Sequence, residues 1–434
     1  AVGTLWPALL HALSFAAVAA GLGFLYATLR RRFDVVSSIA GTTAVASHGL
    51  VVSHAFEARY YGFWLMLCAV FCWAIGVDAA AARSRRRTIV VATVAVLVVT
   101  LHWFGILTLV LMVAGAALAL VATGQGRDAT RRLAPAVAGV VALAVCAPLL
   151  LAQRSHFTTP IWVPDLNAAQ VMDMGRTFFI SIVPVAALVV LLASTFFETR
   201  PPLDVRRLLT DPGIASLCAL AMMPAAIVVV SLLVQPTMLP RYAIAAALAW
   251  APLTAAATHV LSPAPRIVGC ALLAALCWTH LVAEADLQRD FTRTVDADTR
   301  AFDAARASGL PIVFQSRHVL YPVAAQRSAM RSEMTLLALP DSRLGVMFPR
   351  GSGLEDMQRF FRFERDAVAL HVAAYGFPRV VGPAAIDSAP RFVLVGSDAS
   401  LPRGYKDIEV FARAVFPRYR ATRLRDDLTL FTRQ

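Results

Sequence analysis

The chain reads as an all-α polytopic membrane bundle of about ten transmembrane helices, followed by an extracytoplasmic α/β domain. Composition is the first observation. Of 434 residues, 58% are hydrophobic and only 15% charged, with a mean hydropathy of +0.66, whereas soluble domains carry nearer a quarter charged. Periodic length is the second. Apolar runs of about 20 residues, enough to cross a bilayer core of about 30 Å, recur at 5–29, 34–55, 61–82, 88–102, 104–123, 133–152, 177–196, 214–234, 242–261 and 267–286. The third is arginine placement. Every second loop is crowded: Arg30, Arg31 and Arg32; Arg83, Arg85, Arg86 and Arg87; Arg127, Arg131 and Arg132; Arg200, Arg206 and Arg207; then Arg266. The alternate loops hold only Arg59, Arg154, Arg176 and Arg241.

Short-loop arginines stay cytoplasmic, so the crowded loops face inward. The sequence after Asp286 then lies outside, in a plasma membrane protein. The net charge of +13 belongs to loops beside anionic headgroups, and no nucleic-acid partner is expected. Serine, threonine and His48 dilute the second span, which places it inside the bundle. The six cysteines all fall within spans, so no disulfide framework is expected. Cys68 and Cys72, one helical turn apart, read as packing residues. No cofactor is evident, and no His/Asp/Glu set has metal-ligand spacing; divalent-metal dependence stays open.

A bundle at 1–286 and a tail at 287–434 follow from the composition shift after Asp286. The tail opens with an amphipathic helix at 288–308. Buried-strand signatures follow at 310–314, 391–396 and 428–432, with another helix at 355–374. Strands alternating with helices predict a small, mainly parallel sheet. Neither repeats nor broken helices of the transporter kind are evident.

Four arginines face outward for a reason other than topology. Arg59 lies among His54, Glu57, Tyr60 and Tyr61 at the start of the third span. Arginine binds phosphate oxygens in a planar, two-pronged fashion, although tyrosine and arginine also serve as interfacial anchors. His102 ends the fourth span, where an imidazole donates to an anion or relays a proton. Pro236 and Pro240 impose an extended approach that brings Arg241 and Tyr242 to the mouth of the ninth span. The outer loop 153–176, with Asp165 and Asp173, reads as a cover. All these positions fall at one depth, and charge at that depth marks a site or pathway.

The stretch Ser53-His54-Ala55-Phe56-Glu57-Ala58-Arg59-Tyr60-Tyr61-Gly62 resembles the Ala-Arg-x-Tyr segment of the GT-C membrane glycosyltransferases, in the branch related to protein O-mannosyltransferases and aminoarabinose transferases. Thr100-Leu101-His102 and Pro240-Arg241-Tyr242 match the family's later Thr-x-His and Arg-Tyr elements in order. The resemblance implies a GT-C bundle that moves a sugar from a polyprenyl-phosphate carrier to an extracytoplasmic acceptor of unknown identity. Glu57, Arg59, Tyr60, His102, Arg241 and Tyr242 would form the substrate site. The family's catalytic carboxylate sits in the first outer loop, before the sequence matched here. No acidic residue precedes Asp34, so the base is expected on a segment upstream of Ala1. His11 takes the place of the family's usual arginine. The rivals are a polyprenyl-glycan polymerase or ligase, a transporter or lipid flippase, and a non-catalytic GT-C homologue.

Overall fold

The computed structural model describes residues 2–55, 59–77, 84–156, 168–179, 208–233, 239–261, 263–314, 317–337, 368, 372, 379–396, 415–425 and 427–434. The chain divides into two compact units. One comprises Leu5–Ser155 and Asp165–Ala285; the other comprises Ala1–Thr4, His156–Pro164 and Asp286–Gln434.

The first unit is helical. Its early helices are α1 (Val2–Leu29), α2 (Val35–Ala46), α3 (Gly49–Ala55), α4 (Tyr61–Ile75), α5 (Arg85–Leu101), α6 (Gly105–Ala122), α7 (Gly126–Leu133), α8 (Val137–His156) and α9 (Ala168–Phe179). Then come α10 (Pro212–Ala219), α11 (Met223–Leu233), a 3-10 helix at Pro240–Ala249, α12 (Trp250–His259) and α13 (Pro263–Ala307). Among the described residues, five segments are long and apolar enough to cross a bilayer: Leu9–Leu29, Gly105–Ala122, Gly126–Pro148, Pro212–Leu233 and Arg266–Ala307.

Several expected spans differ. The span expected at 34–55 is broken between α2 and α3, where side chains take over the backbone ladder. The Ser47 hydroxyl donates to the Thr43 carbonyl at 2.9 Å, and the Leu50 N–H bonds His48 Nδ1 at 3.3 Å. The first half of the span expected at 242–261 lies in a 3-10 helix of ten residues, longer than the usual three or four. Its buried run from Ala243 to Ala249 is mostly alanine, which tolerates the eclipsing of side chains three apart. The last span and the amphipathic stretch at 288–308 form one helix, α13, because no proline or glycine breaks the sequence between them. Residues 168–176, expected as loop, are helix, continuous with 177–179 of the next expected span. Beyond Phe179 the span expected at 177–196 lies outside the described residues, as does the helix expected at 355–374 apart from Val368 and Val372.

Small residues let these helices approach. A β-carbon on Gly115 of α6 would sit 2.5 Å from the Ala215 carbonyl oxygen of α10, which is how helix pairs gain van der Waals contact without a hydrophobic driving force. The core runs through Trp64, Phe71, Cys68, Cys72, Met112 and Ile214, all fully enclosed. Cys68 and Cys72 are free thiols, as expected of packing residues.

Loop arginines organise one end of α4. Arg31 donates to the Trp73 carbonyl at 2.7 Å, Arg87 to Ala74 at 2.8 Å and Arg132 to Val77 at 3.3 Å. They satisfy the carbonyls a helix leaves unbonded at its C-terminus and complement its dipole. Arg32 pairs with Asp211 at 2.9 Å. Asp34 receives Arg266 and meets His259 at 3.0 Å. The loop arginines thus bind the helix ends.

The second unit contains a six-stranded sheet. Its strands are β1 (Ile312–Phe314), β2 (Thr335–Leu337), β3 (Arg379–Val381), β4 (Arg391–Val395), β5 (Tyr419–Arg425) and β6 (Leu428–Arg433), in the order β3-β2-β1-β4-β6-β5. The first four are parallel, and β6 and β5 continue antiparallel. Phe392 stacks on Phe431 at 4.7 Å, with Phe416 edge-on at 5.0 Å. Burial, and then the charge of Asp427, push the Asp298 carboxyl up to about 6. A raised carboxyl pKa means the folded state holds its proton more tightly between about pH 4 and 6, so stability falls as pH rises through that window. Asp298→Asn is expected to stabilise the protein by about 1 kcal/mol at pH 7.5 after solvent screening. Thermal unfolding should show the gain shrinking toward pH 4.

Candidate functional site

The site forms at the N-terminal end of α4, about 22 Å along the helix from the arginine-capped end. Three segments build it. Tyr60 precedes the first turn of α4, and Trp64 follows one turn later on the same face. His102 occupies the turn between α5 and α6, a turn that requires Gly105, since a β-carbon there would collide with the Val98 carbonyl. Arg241 and Tyr242 open the 3-10 helix.

His102 is the hub. Its ring lies 5.0 Å from Tyr60, 4.8 Å from Trp64, 5.5 Å from Phe104 and 5.1 Å from Tyr242. Tyr60 and Tyr61 rings lie 4.5 Å apart, and His54 packs on Tyr61 at 4.6 Å. The Arg241 guanidinium stands over the Tyr242 ring at 5.6 Å, a cation–π contact. It also lies within electrostatic reach of Tyr60, Tyr61 and His102.

These groups are donors. The Phe104 N–H bonds His102 Nδ1 at 3.2 Å, so the ring proton sits on Nε2. A second proton on Nδ1 would face that N–H. His102 thus presents its Nε2–H as a donor. The Tyr60 hydroxyl donates to the Tyr61 hydroxyl at 3.4 Å. Burial, and then that bond, raise the Tyr60 phenol well above its usual range, so it keeps its proton. Among the described residues no group of three or more His, Cys, Asp or Glu side chains could hold a metal ion.

The residues expected at the substrate site fall into three groups. Tyr60, His102, Arg241 and Tyr242 converge. Arg59 is exposed, though its charge reaches Tyr61. Glu57 and Asp165 lie outside the described residues, as does the Asp173 side chain. Trp64 and Phe104 were missed. The signal for Trp64 was its spacing of four from Tyr60 on an apolar helix.

Comparison with known proteins was uneven. No protein-family model matches the chain, and no curated protein matches it. Solved structures do. ArnT from Cupriavidus metallidurans bound to undecaprenyl phosphate superposes with a TM-score of 0.55 at 12% identity, over 97% of this chain and 83% of that one. The same enzyme in the apo state gives 0.51 at 13% identity, with the same coverage. The fold is therefore that of these ArnT structures. The chain is thus a multi-pass membrane protein, mostly helical, with a small C-terminal sheet.

Proposed function

We propose that the protein is a GT-C glycosyltransferase that takes a sugar from a polyprenyl-phosphate carrier and delivers it to an extracytoplasmic acceptor. About ten spans would place the α4 N-terminus and the C-terminal unit outside the plasma membrane. The observation that carries this reading is the cluster of Arg241, the His102 Nε2–H and the Tyr60–Tyr61 hydroxyl pair. A cation and neutral donors, with no carboxylate among the described members, suit a ligand that only accepts hydrogen bonds. A phosphate is such a ligand. Its charge grows as the glycosidic bond breaks, and fixed donors in a dry site stabilise that growth. The ArnT that shares this fold was solved with undecaprenyl phosphate, which supports a carrier of the same class.

In this reading Arg241 holds the phosphate, His102 donates to its oxygens together with the free hydrogen of the Tyr60–Tyr61 hydroxyl pair, and Tyr242 fixes the guanidinium plane. Arg59, at the exposed rim, steers the anion and its effect is screened by salt. Arg59→Ala is expected to weaken binding of undecaprenyl phosphate about 3- to 5-fold in low salt, as for an exposed charge contact of up to about 1 kcal/mol. The loss should fade by 0.5 M salt. Equal affinity at low salt would remove Arg59 from the site.

One feature favours a second reading, lipid translocation without chemistry: the break between α2 and α3, since discontinuous helices line transport sites. Reconstituted vesicles separate the two. Movement of fluorescent polyprenyl phosphate across the bilayer without sugar transfer would support translocation.

A further inference from the structure

Trp64 is fully buried, yet its indole N–H has no hydrogen-bond partner among the described residues. A buried tryptophan ordinarily finds an acceptor for that hydrogen, and leaving it unpaired costs about 1–3 kcal/mol. Phenylalanine would fill such a place without that cost. The cluster around it explains the deficit. The ring lies 4.8 Å from His102, whose acceptor nitrogen is already taken by the Phe104 N–H. Neither hydroxyl oxygen of the Tyr60–Tyr61 pair accepts from the indole, and Arg241 has only N–H groups to offer.

Resting on the proposed function, we infer that the Trp64 indole N–H is a ligand-binding donor of this site, held for an oxygen of the carrier phosphate. Trp64 is thus a specificity-determining residue: it rewards an acceptor-only headgroup and does nothing for a hydroxyl that has found its own partners. The same site without Trp64 would still receive a polyprenyl chain but would discriminate less between its phosphate and its alcohol.

The test compares W64F with the unmodified protein in detergent, measuring affinity for undecaprenyl phosphate and, separately, for undecaprenol. W64F should weaken phosphate binding about 10- to 100-fold, the loss of one hydrogen bond to a charged group. Undecaprenol binding should stay unchanged. If both affinities fall alike, Trp64 acts by packing. If neither falls, the N–H meets a buried water. Either result overturns the inference. Should W64F fail to fold, 3-benzothienylalanine at position 64 keeps the two-ring shape without the N–H and is held to the same criteria. Unmodified protein that binds phosphate no better than alcohol would defeat the glycosyltransferase reading itself, and the Trp64 inference with it.

Discussion

Replacing Arg241 by alanine is expected to lower sugar transfer about 100-fold or more while the protein still inserts and purifies. The guanidinium is half-buried, lies over Tyr242 and reaches Tyr60 and His102. Removing one partner of a desolvated, hydrogen-bonded charge pair costs about 2–5 kcal/mol, which is a factor of about 30 to several thousand in an equilibrium constant. The loss should appear in affinity for undecaprenyl phosphate as well as in turnover. Arg241→Lys should recover little, because a compact ammonium cannot reproduce the planar fork. Transfer within a few-fold of normal in Arg241→Ala would remove this residue from the phosphate site.

The second large effect concerns stability. Asp211→Ala is expected to destabilise the helical unit by about 2 kcal/mol, the cost of losing a buried helix cap. Asp211 is 1% exposed. One carboxylate oxygen caps α10 by accepting from the Gly213 and Ile214 N–H groups at 2.9 and 3.2 Å. The other accepts from Arg32 at 2.9 Å. Alanine orphans two buried helix N–H groups, while the exposed Arg32 guanidinium turns to water and its loss adds little. The measurement is thermal unfolding in detergent, where Asp211→Ala should melt many degrees lower and express poorly. Asp211→Asn, which keeps an acceptor for the N–H groups, should fall between the two. Unchanged melting would mean that water replaces the carboxylate freely at this helix end.

The amino-acid order told most where the bilayer imposes the rule. Arginine asymmetry and runs of about 20 apolar residues follow from the cost of charge and open backbone in hydrocarbon. The same rule made Tyr60, His102, Arg241 and Tyr242 visible, since polar groups at one depth stood out against apolar spans. Features decided by local side-chain hydrogen bonds were hidden. The break at Ser47 and His48 depends on where one hydroxyl and one imidazole point, which no periodicity records. The 3-10 geometry of Pro240–Ala249 was equally silent, because an alanine-rich run suits an α-helix as well. Strands β2 and β3, three residues each, are too short to leave a pattern, and β5 is mostly polar and exposed. Trp64 looked like one more apolar side chain. Its role rests on an unmet hydrogen bond, a property of the folded neighbourhood.

The central claim is that an anionic carrier headgroup sits among Arg241, His102, Tyr60 and Trp64. A structure of the protein with undecaprenyl phosphate tests it most directly. The phosphate should lie within hydrogen-bond distance of Arg241 and be ringed by the other three side chains. A phosphate bound instead at the opposite end of α4, beside Arg31, Arg87 and Arg132, would contradict it.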